Sequence, residues 1–214
     1  MFKKLDEEKI TTLLEAGILE FANKGFDKSN MNLIAKKAEL SVGVIYKYYT
    51  DKDEFFLACV RYSLNLLRDV LGKVIEDGID VVANMRLVVW ALIEHSKKHA
   101  DYYVMYHEIT AGGCKRFATM LAEEIESISA QVYTNLLENA KKSGVVRLDM
   151  DSRVFAFFFD NLLMMLQFSY CCDYYRERMR IYCGEGTLKN DEHMVEELMK
   201  FMYAALGVES KNEK

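Results

Sequence analysis

The complete absence of proline is the feature that most limits what this chain can fold into. The 214 residues also contain only 11 glycines, so the residues that break helices and form tight turns are few. A fold made of many short strands needs such turns throughout, and no alternating strand pattern competes with the helical one. The sequence therefore predicts an all-α fold.

The spacing of apolar residues predicts where the helices lie. From Ile10 to Phe21 apolar residues recur every three or four positions, which indicates a first helix with one buried face. Gly25 is placed to end that helix, and residues suited to cap three further helix starts follow at Asn30, Ser41 and Asp51. Further helices are expected at about 80 to 99, 101 to 109, 115 to 142, 151 to 182 and 190 to 206.

The close spacing of the first helix starts predicts two domains. Residues 1–50 are predicted to form a small helical domain, and residues 51–214 a larger helical domain for regulation and dimerisation. A helix at about 51–72 is expected to connect the two mechanically, because no flexible linker separates them.

Charge is distributed unevenly along the chain. The net charge is −5, which by itself argues against a nucleic-acid binder. Residues 24–52, however, include six lysines against three carboxylates, so this segment carries +3 and the remainder −8. One short segment therefore has the charge that a DNA-binding surface needs.

The sequence also indicates where the protein acts. Its N-terminus lacks the apolar stretch of a signal peptide, and its five cysteines cannot all pair within one chain, which favours the reducing cytoplasm. The apolar run Val154–Cys172 has about the length of a membrane span, but Asp160, Asn161 and Gln167 lie inside it at positions that are costly in lipid. We therefore expect a buried helix and no membrane partner.

Two short helices at a tight turn, following a longer helix, are typical of the tri-helical helix-turn-helix. Spacing alone is weak evidence, because small helical bundles often contain short helices joined by short turns. The residue types of the second short helix, Val42–Tyr49, strengthen the evidence for DNA binding. Gly43 lets the backbone approach a groove, Val44 can contact a thymine methyl group, and Lys47 can donate to guanine O6 or N7.

Three stretches of this region, Gly25–Ala35, Leu40–Tyr49 and Lys52–Phe55, closely resemble the signature of the tetracycline-repressor (TetR) family. The resemblance covers roughly residues 10 to 60. It implies an N-terminal helix-turn-helix, a homodimer that binds near-palindromic double-stranded DNA, and a C-terminal domain that responds to a small molecule. The function it implies is that of a transcriptional repressor.

The resemblance also implies roles for single residues. Asn30 would cap the second helix and touch a phosphate, and Lys52 would hold another phosphate from the start of the fourth helix. Tyr46 and Tyr48 would reach the DNA backbone or bases. The full predicted DNA-binding set is Asn30, Ser41, Val42, Gly43, Val44, Tyr46, Lys47, Tyr48 and Lys52.

Two positions depart from the family pattern. The family commonly has glycine in the turn where this chain has Glu39, and a positive φ at a non-glycine residue costs on the order of 1 kcal/mol. The family often has phenylalanine where Tyr49 stands, so we expect the Tyr49 hydroxyl to find a partner or to lie at the rim of the core.

The segment Ser152–Cys172 is apolar almost all round, so it must be buried on more than one side. Together with an amphipathic helix near residues 194–205, it predicts a four-helix dimer interface. A core helix within a monomer is the alternative. The predicted interface residues are Phe155, Leu162, Leu166, Leu198, Phe201 and Met202.

Large aromatic residues and methionines in the C-terminal part are suited to a cavity that repacks around a guest. They predict a largely apolar effector, although each of these residues also suits ordinary core packing. The predicted ligand-binding residues are Trp90, Tyr103, His107, Phe158, Met165 and Phe168. No cofactor is expected.

Other kinds of sensor and of function are considered as alternatives. His95 and His99 have the i, i+4 spacing of a helical metal site, with His107 nearby in sequence, but no CxxC or HExxH motif supports metal binding. Adjacent Cys171 and Cys172 suit a redox switch, but apolar surroundings favour inert thiols. The chain has no phosphate-binding loop, GxSxG elbow or paired-carboxylate motif, so neither an enzyme nor a plain interaction protein is the preferred interpretation.

Overall fold

The computed structural model describes residues 5–74 and 81–208, and within these residues it is helical and contains no strand. The all-α prediction is confirmed. The α-helices in the described residues are α1 (Glu7–Lys28), α2 (Met31–Lys37), α3 (Val42–Tyr48), α4 (Lys52–Val74), α5 (Val81–Lys98), α6 (Ala100–Glu108), α7 (Ala118–Lys142), α8 (Ser152–Cys171), α9 (Asp173–Cys183) and α10 (Asp191–Leu206). A π-helical turn, Ile109–Gly113, and a short 3₁₀ turn, Lys115–Phe117, join α6 to α7.

Local capping explains where several helices begin and break. Asp6 caps α1 by accepting a hydrogen bond from the Lys9 amide, and Asn30 caps α2 by accepting one from the Asn32 amide, each at 2.9 Å. Gly25 interrupts α1 with a φ of 69°, and one more turn follows before the helix ends at Lys28. The break predicted at Gly25 is present because only glycine adopts this backbone conformation without strain.

The described chain divides into two compact units. One comprises Met1–Arg68 and His99–Thr119, and the other comprises Asp69–Lys98 and Met120–Lys214. The first unit contains the predicted helix-turn-helix and also α6, because α6 packs against α1. The functional boundary near residue 50 remains a prediction.

The core of the first unit is built around aromatic rings on α1 and α4. Phe21, Phe55 and Phe56 are almost fully buried, and the Phe21 and Phe56 rings meet edge to face with their centroids 4.9 Å apart. Gly17 lets the two helices approach closely, because a Cβ atom there would lie 2.7 Å from both Cys59 Sγ and the Phe55 ring. This packing holds α4 in a fixed position against α1.

A buried charge in the first unit is fully paired. Glu20 on α1 is nearly inaccessible, and its carboxylate lies 3.4 Å from the Lys37 ammonium and 3.3 Å from the Asn30 amide, which donates to it. An unpaired carboxylate would be costly at such a position. Glu20 therefore fixes both ends of α2 to α1.

The core of the second unit contains one face of α8 and one face of α10. The buried residues of this core include Ala156, Phe159 and Leu163 on α8, and Val195, Met199, Met202 and Leu206 on α10. Ser152–Cys171 is also the one helix in the described residues that is long and apolar enough to cross a membrane, and 44% of its apolar window is buried within the chain. The core helix of a protein outside the membrane can have the same length and composition, so this helix is weak evidence for a membrane span.

Asp160 is an ionisable residue within this apolar helix. Burial raises the pKa of its carboxyl to about 6, and the negative charge of Glu126 on α7 adds to the increase, while a hydrogen bond with Ser129 opposes it. The ordinary pKa is 3.8, so folding favours the protonated form. The carboxylate is therefore a source of instability at neutral pH.

We expect Asp160→Asn to stabilise the protein at pH 8 and to have little effect at pH 4. A raised folded-state pKa gives stability that is present below about pH 4 and is lost as the pH rises through about 6. Allowing for partial solvent access, the gain at pH 8 should be about 1 to 2 kcal/mol. Urea denaturation at both pH values measures it, with Glu123→Gln on the exposed face of α7 as the control. An equal effect of Asp160→Asn at both pH values would contradict the assignment.

Candidate nucleic-acid interface

The turn between α2 and α3 sets the geometry of the helix-turn-helix. The Ala38 amide donates to the Ile34 carbonyl at 3.0 Å, and the Leu40 amide donates to the Ala35 carbonyl at 2.9 Å. Between them Glu39 adopts a φ of 55°, the one positive φ at a non-glycine position in the described residues. The positive φ is thus kept at Glu39, although the family commonly has glycine at this turn position.

We expect Glu39→Gly to stabilise the protein by about 1 kcal/mol, because glycine adopts a positive φ without the Cβ clash. Glu39→Ala removes the same carboxylate but keeps the Cβ, so it should give no such gain. Chemical denaturation of the two variants measures the difference. Equal stability of the glycine and alanine variants would show that the turn is not strained.

Helix α3 fully buries only one of its side chains. It buries only Ile45, while Gly43 and Lys47 are exposed, Tyr46 is 46% exposed, and Val42 and Val44 are half-buried. Ser41 begins the helix with an extended backbone, but the cap predicted there is wrong, because its hydroxyl makes no capping hydrogen bond. A short helix anchored by one buried residue is suited to enter the major groove of DNA.

Tyr48 and Tyr49 have different surroundings at the end of α3. The Tyr48 hydroxyl accepts a hydrogen bond from the Leu5 amide, which ties the start of α1 to the end of α3. Its own hydrogen can still be donated to a phosphate. Tyr49 is half-buried with its ring 5.1 Å from that of Phe55, and burial raises the pKa of its hydroxyl. Tyr49 therefore lies at the rim of the core, one of the two positions expected for it.

Lys52 has a structural role that the sequence pattern did not indicate. Its ammonium donates to the backbone carbonyls of Ser29, at 2.9 Å, and Asp27, at 3.3 Å, and lies 4.8 Å from the centre of the Phe26 ring. Burial lowers the pKa of this ammonium, an effect that the charge of Asp27 opposes. Lys52 thus joins the start of α4 to the end of α1, where it also borders the cap of α2.

A second cation meets the same phenylalanine from the turn that precedes α7. The Arg116 guanidinium lies 4.6 Å from the centre of the Phe26 ring and 4.7 Å from that of Phe117, and it forms an ion pair with Asp53 in the first turn of α4. We call Phe26, Lys52, Asp53, Arg116 and Phe117 the Arg116 joint. Arg116 and Phe117 lie about seventy residues after the helix-turn-helix, and no motif in the sequence indicated them.

The comparison with known proteins agrees with this geometry. The sequence model of a family described as bacterial regulatory proteins, tetR family, matches residues 13–59, which run from α1 through the helix-turn-helix into α4. The matched part of the chain, residues 13–59, belongs to the TetR family. The protein is therefore a DNA-binding transcriptional regulator with a helix-turn-helix.

Relatives of this TetR-family regulator carry the same description. An uncharacterised HTH-type transcriptional regulator of Bacillus subtilis (strain 168), YhgD, is 24% identical over 166 residues, which are 78% of this chain and 85% of YhgD. The HTH-type transcriptional regulator HbdR of Aromatoleum sp. (strain CIB) is 28% identical over 107 residues, which are 50% of this chain and 47% of HbdR.

Solved structures share the fold of this TetR-family regulator. FadR of Bacillus subtilis, in complex with stearoyl-CoA, has a TM-score of 0.72 at 15% identity, over 89% of this chain and 97% of FadR. AibR, in complex with isovaleryl coenzyme A and operator DNA, has a TM-score of 0.61 at 17% identity, over 76% of this chain and 85% of AibR. The described helices therefore share the fold of these two solved structures.

The residues predicted to bind a ligand are divided between the two units of this TetR-family regulator. Tyr103 and His107 belong to the first unit, whereas Trp90, Phe158, Met165 and Phe168 belong to the second. Tyr103 and Phe168 are buried, and Trp90, His107 and Met165 are half-buried. Phe158 is 58% exposed and lies on the outer face of α8, so it is not placed to line a site inside the second unit.

The predicted interface residues also differ in exposure. Leu162 and Phe201 are exposed, Phe155, Leu166 and Leu198 are half-buried, and Met202 is almost fully buried in the core of its own chain. A partner subunit cannot contact the Met202 side chain without displacing that core, so Met202 is not included in the interface proposed below.

The alternative sensor residues lie within the second unit, apart from His99 and His107. His95, Cys171 and Cys172 are buried, and the Cys171 thiol donates to the Ser96 carbonyl at 3.2 Å. In the part of the chain that the structure describes, no group of three or more side chains is arranged to hold a metal ion, and no two cysteines form a disulfide.

Proposed function

We propose that this protein is a homodimeric cytoplasmic repressor that reads a near-palindromic operator through α3 and is released by a small acyl compound. The observation that carries the proposal is the outward face of α3, which buries only Ile45 and exposes Gly43, Tyr46 and Lys47. Lys47 supplies a donor for guanine, the valines supply apolar contacts for thymine, and Tyr48 supplies a hydroxyl for the backbone.

The proposed dimer forms through an apolar surface on the second unit. The outer face of α8 carries exposed Val154, Phe157, Phe158 and Leu162, and Phe157 is 63% exposed. Phe201 on α10 adds a further ring that is 59% exposed. Several large apolar side chains on one helix face support an interface rather than a solvent surface. A two-fold dimer presents two α3 helices to successive major grooves, about 34 Å apart.

The proposed effector carries an apolar acyl chain. FadR and AibR have this fold and were solved with stearoyl-CoA and with isovaleryl coenzyme A, which share an acyl group on coenzyme A and differ in its length. In this chain, buried Phe168 and half-buried Trp90 and Met165 offer adaptable apolar groups in the second unit. Acyl-CoA thioesters are therefore the first compounds to test.

Release of DNA requires that the effector favour one dimer geometry over another. A tenfold loss of operator affinity corresponds to about 1.4 kcal/mol of coupling, within the usual range for allosteric proteins. Helix α4 begins beside α3 in the first unit and continues past Arg68 into the second, so we propose that it carries the coupling.

A selection experiment tests the proposed function. The protein should enrich a near-palindromic duplex from a random-sequence library, and stearoyl-CoA, isovaleryl-CoA or a thioester of intermediate length should then weaken binding to that duplex. Free coenzyme A is the matched control, because it lacks the acyl chain. Enrichment of no duplex would refute the DNA-reading proposal, and an equal response to free coenzyme A or to Zn²⁺ alone would refute the acyl effector.

A further inference from the structure

The turn that precedes α7 has a conformation that depends on two glycines. Gly112 has a φ of 91°, and a Cβ atom at Gly113 would lie 2.7 Å from the Glu108 carbonyl oxygen. These glycines lie in the π-helical turn Ile109–Gly113, and the 3₁₀ turn Lys115–Phe117 follows it directly. Within the first unit, this 3₁₀ turn lies beside α1 and α4. Arg116 and Phe117 are the two residues of this 3₁₀ turn that contact the rings of the core.

Phe26 is the centre of the Arg116 joint. Its ring lies 5.7 Å from that of Phe117 and 5.1 Å from that of Phe56 on α4, centre to centre. Lys52 and Arg116 lie at similar distances from its centre, 4.8 and 4.6 Å. Cations attract an aromatic face most strongly where water is partly excluded. The Phe26 ring therefore stabilises the positive charges of Lys52 and Arg116 close together, although the two charges repel each other.

Asp53 completes the joint from the first turn of α4. It pairs with Arg116, and its charge acts on Lys52 in the direction opposite to that of Arg116. Lys52 in turn donates to the carbonyls of Asp27 and Ser29, directly before the residue that caps α2. The joint therefore connects the end of α1, the start of α2 and the start of α4.

The position of α3 depends on these same segments. Only Tyr49, Thr50 and Asp51 separate α3 from α4, and the Thr50 amide donates to the Glu54 carboxylate at 2.6 Å. The Glu54 amide in turn donates to Asp51 at 2.8 Å, so this short connection is held at both ends. A change in the direction of the first turn of α4 therefore changes the direction of α3.

We propose that Arg116 is a positioning residue for DNA binding, which sets the angle of α3 without touching DNA itself. It acts by joining the Lys115–Phe117 turn to Phe26 and Asp53. The inference rests on the proposed reading of DNA through α3.

The test compares variants on the duplex that the wild-type protein selects. Arg116→Ala should weaken binding at least tenfold and leave the slope of log affinity against log salt unchanged, because no phosphate contact is lost. Arg116→Lys should weaken binding less, since lysine keeps the charge but lacks the planar guanidinium that contacts both the Phe26 and the Phe117 ring. Lys115→Ala, which removes a neighbouring exposed charge, is the control and should match the wild type except for a small electrostatic effect.

Asp53→Asn separates positioning from simple electrostatics. Removal of a negative charge near DNA should tighten binding if only the net field matters, whereas loss of the joint should weaken it. Asp53→Asn and Arg116→Gln should also be non-additive, because each removes the same ion pair. Circular dichroism checks that each variant folds, and if Arg116→Ala does not, Asp53→Asn and Arg116→Lys decide the outcome.

Three results would overturn the inference. A salt slope that falls by about one in Arg116→Ala would show that Arg116 itself contacts a phosphate. Unchanged affinity in Arg116→Ala, or tighter binding in Asp53→Asn, would show that the joint does not position α3. Because every variant is compared with the wild type on the same duplex, these results leave the proposed function itself intact.

Discussion

Replacing Tyr46 and Lys47 together with alanine is expected to abolish sequence-specific DNA binding and to leave the fold unchanged. Both side chains project from the exposed face of α3, while Ile45 alone anchors this helix in the core. A good side-chain contact to a base contributes about 1 to 3 kcal/mol of discrimination, so loss of two should lower operator affinity by roughly 30-fold to more than 1000-fold. Fluorescence anisotropy with the selected duplex measures this loss.

The matched control for this variant is Lys24→Ala. Lys24 is an exposed lysine of α1, in the same basic segment but outside α3, so its loss removes one charge without removing a base contact. It should reduce binding to all duplexes slightly and equally. Equal binding curves for the wild type and the Tyr46→Ala/Lys47→Ala variant would show that α3 does not read the operator.

The single variants separate the two kinds of DNA contact. Lys47→Ala should relax discrimination at one base pair, whereas Lys52→Ala should weaken binding to every duplex and flatten the salt dependence. Lys52 also joins α4 to the end of α1, so its variant should lose stability as well. A melting curve of Lys52→Ala therefore accompanies its binding curve.

A glutamate at Phe157 should separate the proposed dimer into folded monomers. Phe157 is 63% exposed within the chain, so the new carboxylate meets water in the monomer and is desolvated only when a partner covers α8. An unpaired charge buried in an interface costs several kcal/mol, which corresponds to roughly a thousandfold or greater increase in the dimer dissociation constant. Operator affinity should fall as the dimer dissociates, because separate monomers then bind the two half-sites independently.

Sedimentation at micromolar concentration measures this separation, and circular dichroism confirms that the monomer keeps its helices. Leu148→Glu is the matched control, since Leu148 is 71% exposed in the segment between α7 and α8 and outside any helix. Phe201→Glu on α10 should behave like Phe157→Glu. A wild-type monomer that still binds the operator, or a Phe157→Glu dimer of unchanged affinity, would contradict the proposed interface.

Local sequence rules predicted the helix-turn-helix because its geometry depends on neighbouring residues. Asn30 caps α2 through a hydrogen bond to a residue two positions away, and Gly25 breaks α1 through its own φ. The positive φ at Glu39 is likewise a local property of the tight turn between the two short helices. Capping and turn conformation need no knowledge of the rest of the fold.

Exposure in the second unit was less predictable. Phe158 was expected to contact a ligand and Met202 to contact a partner, but the first lies on the outer face of α8 and the second in the core. Both helices are rich in apolar residues on several faces, so composition alone does not tell which face turns inward. Neighbouring helices decide that, and their positions depend on the whole fold.

The sequence by itself determined the helical class, the Asn30 cap of α2 and the break at Gly25, because the last two depend on contacts within a few residues. Only the tertiary structure decided that Arg116 and Phe117 meet Phe26 and Asp53, and that Lys52 bonds to the end of α1. These contacts join residues that are 23 to 91 positions apart, and no periodic pattern encodes them. They form because the packing of the first unit places α1, α4 and the turn before α7 side by side. There the Phe26 ring and the ion pair between Arg116 and Asp53 stabilise the contact.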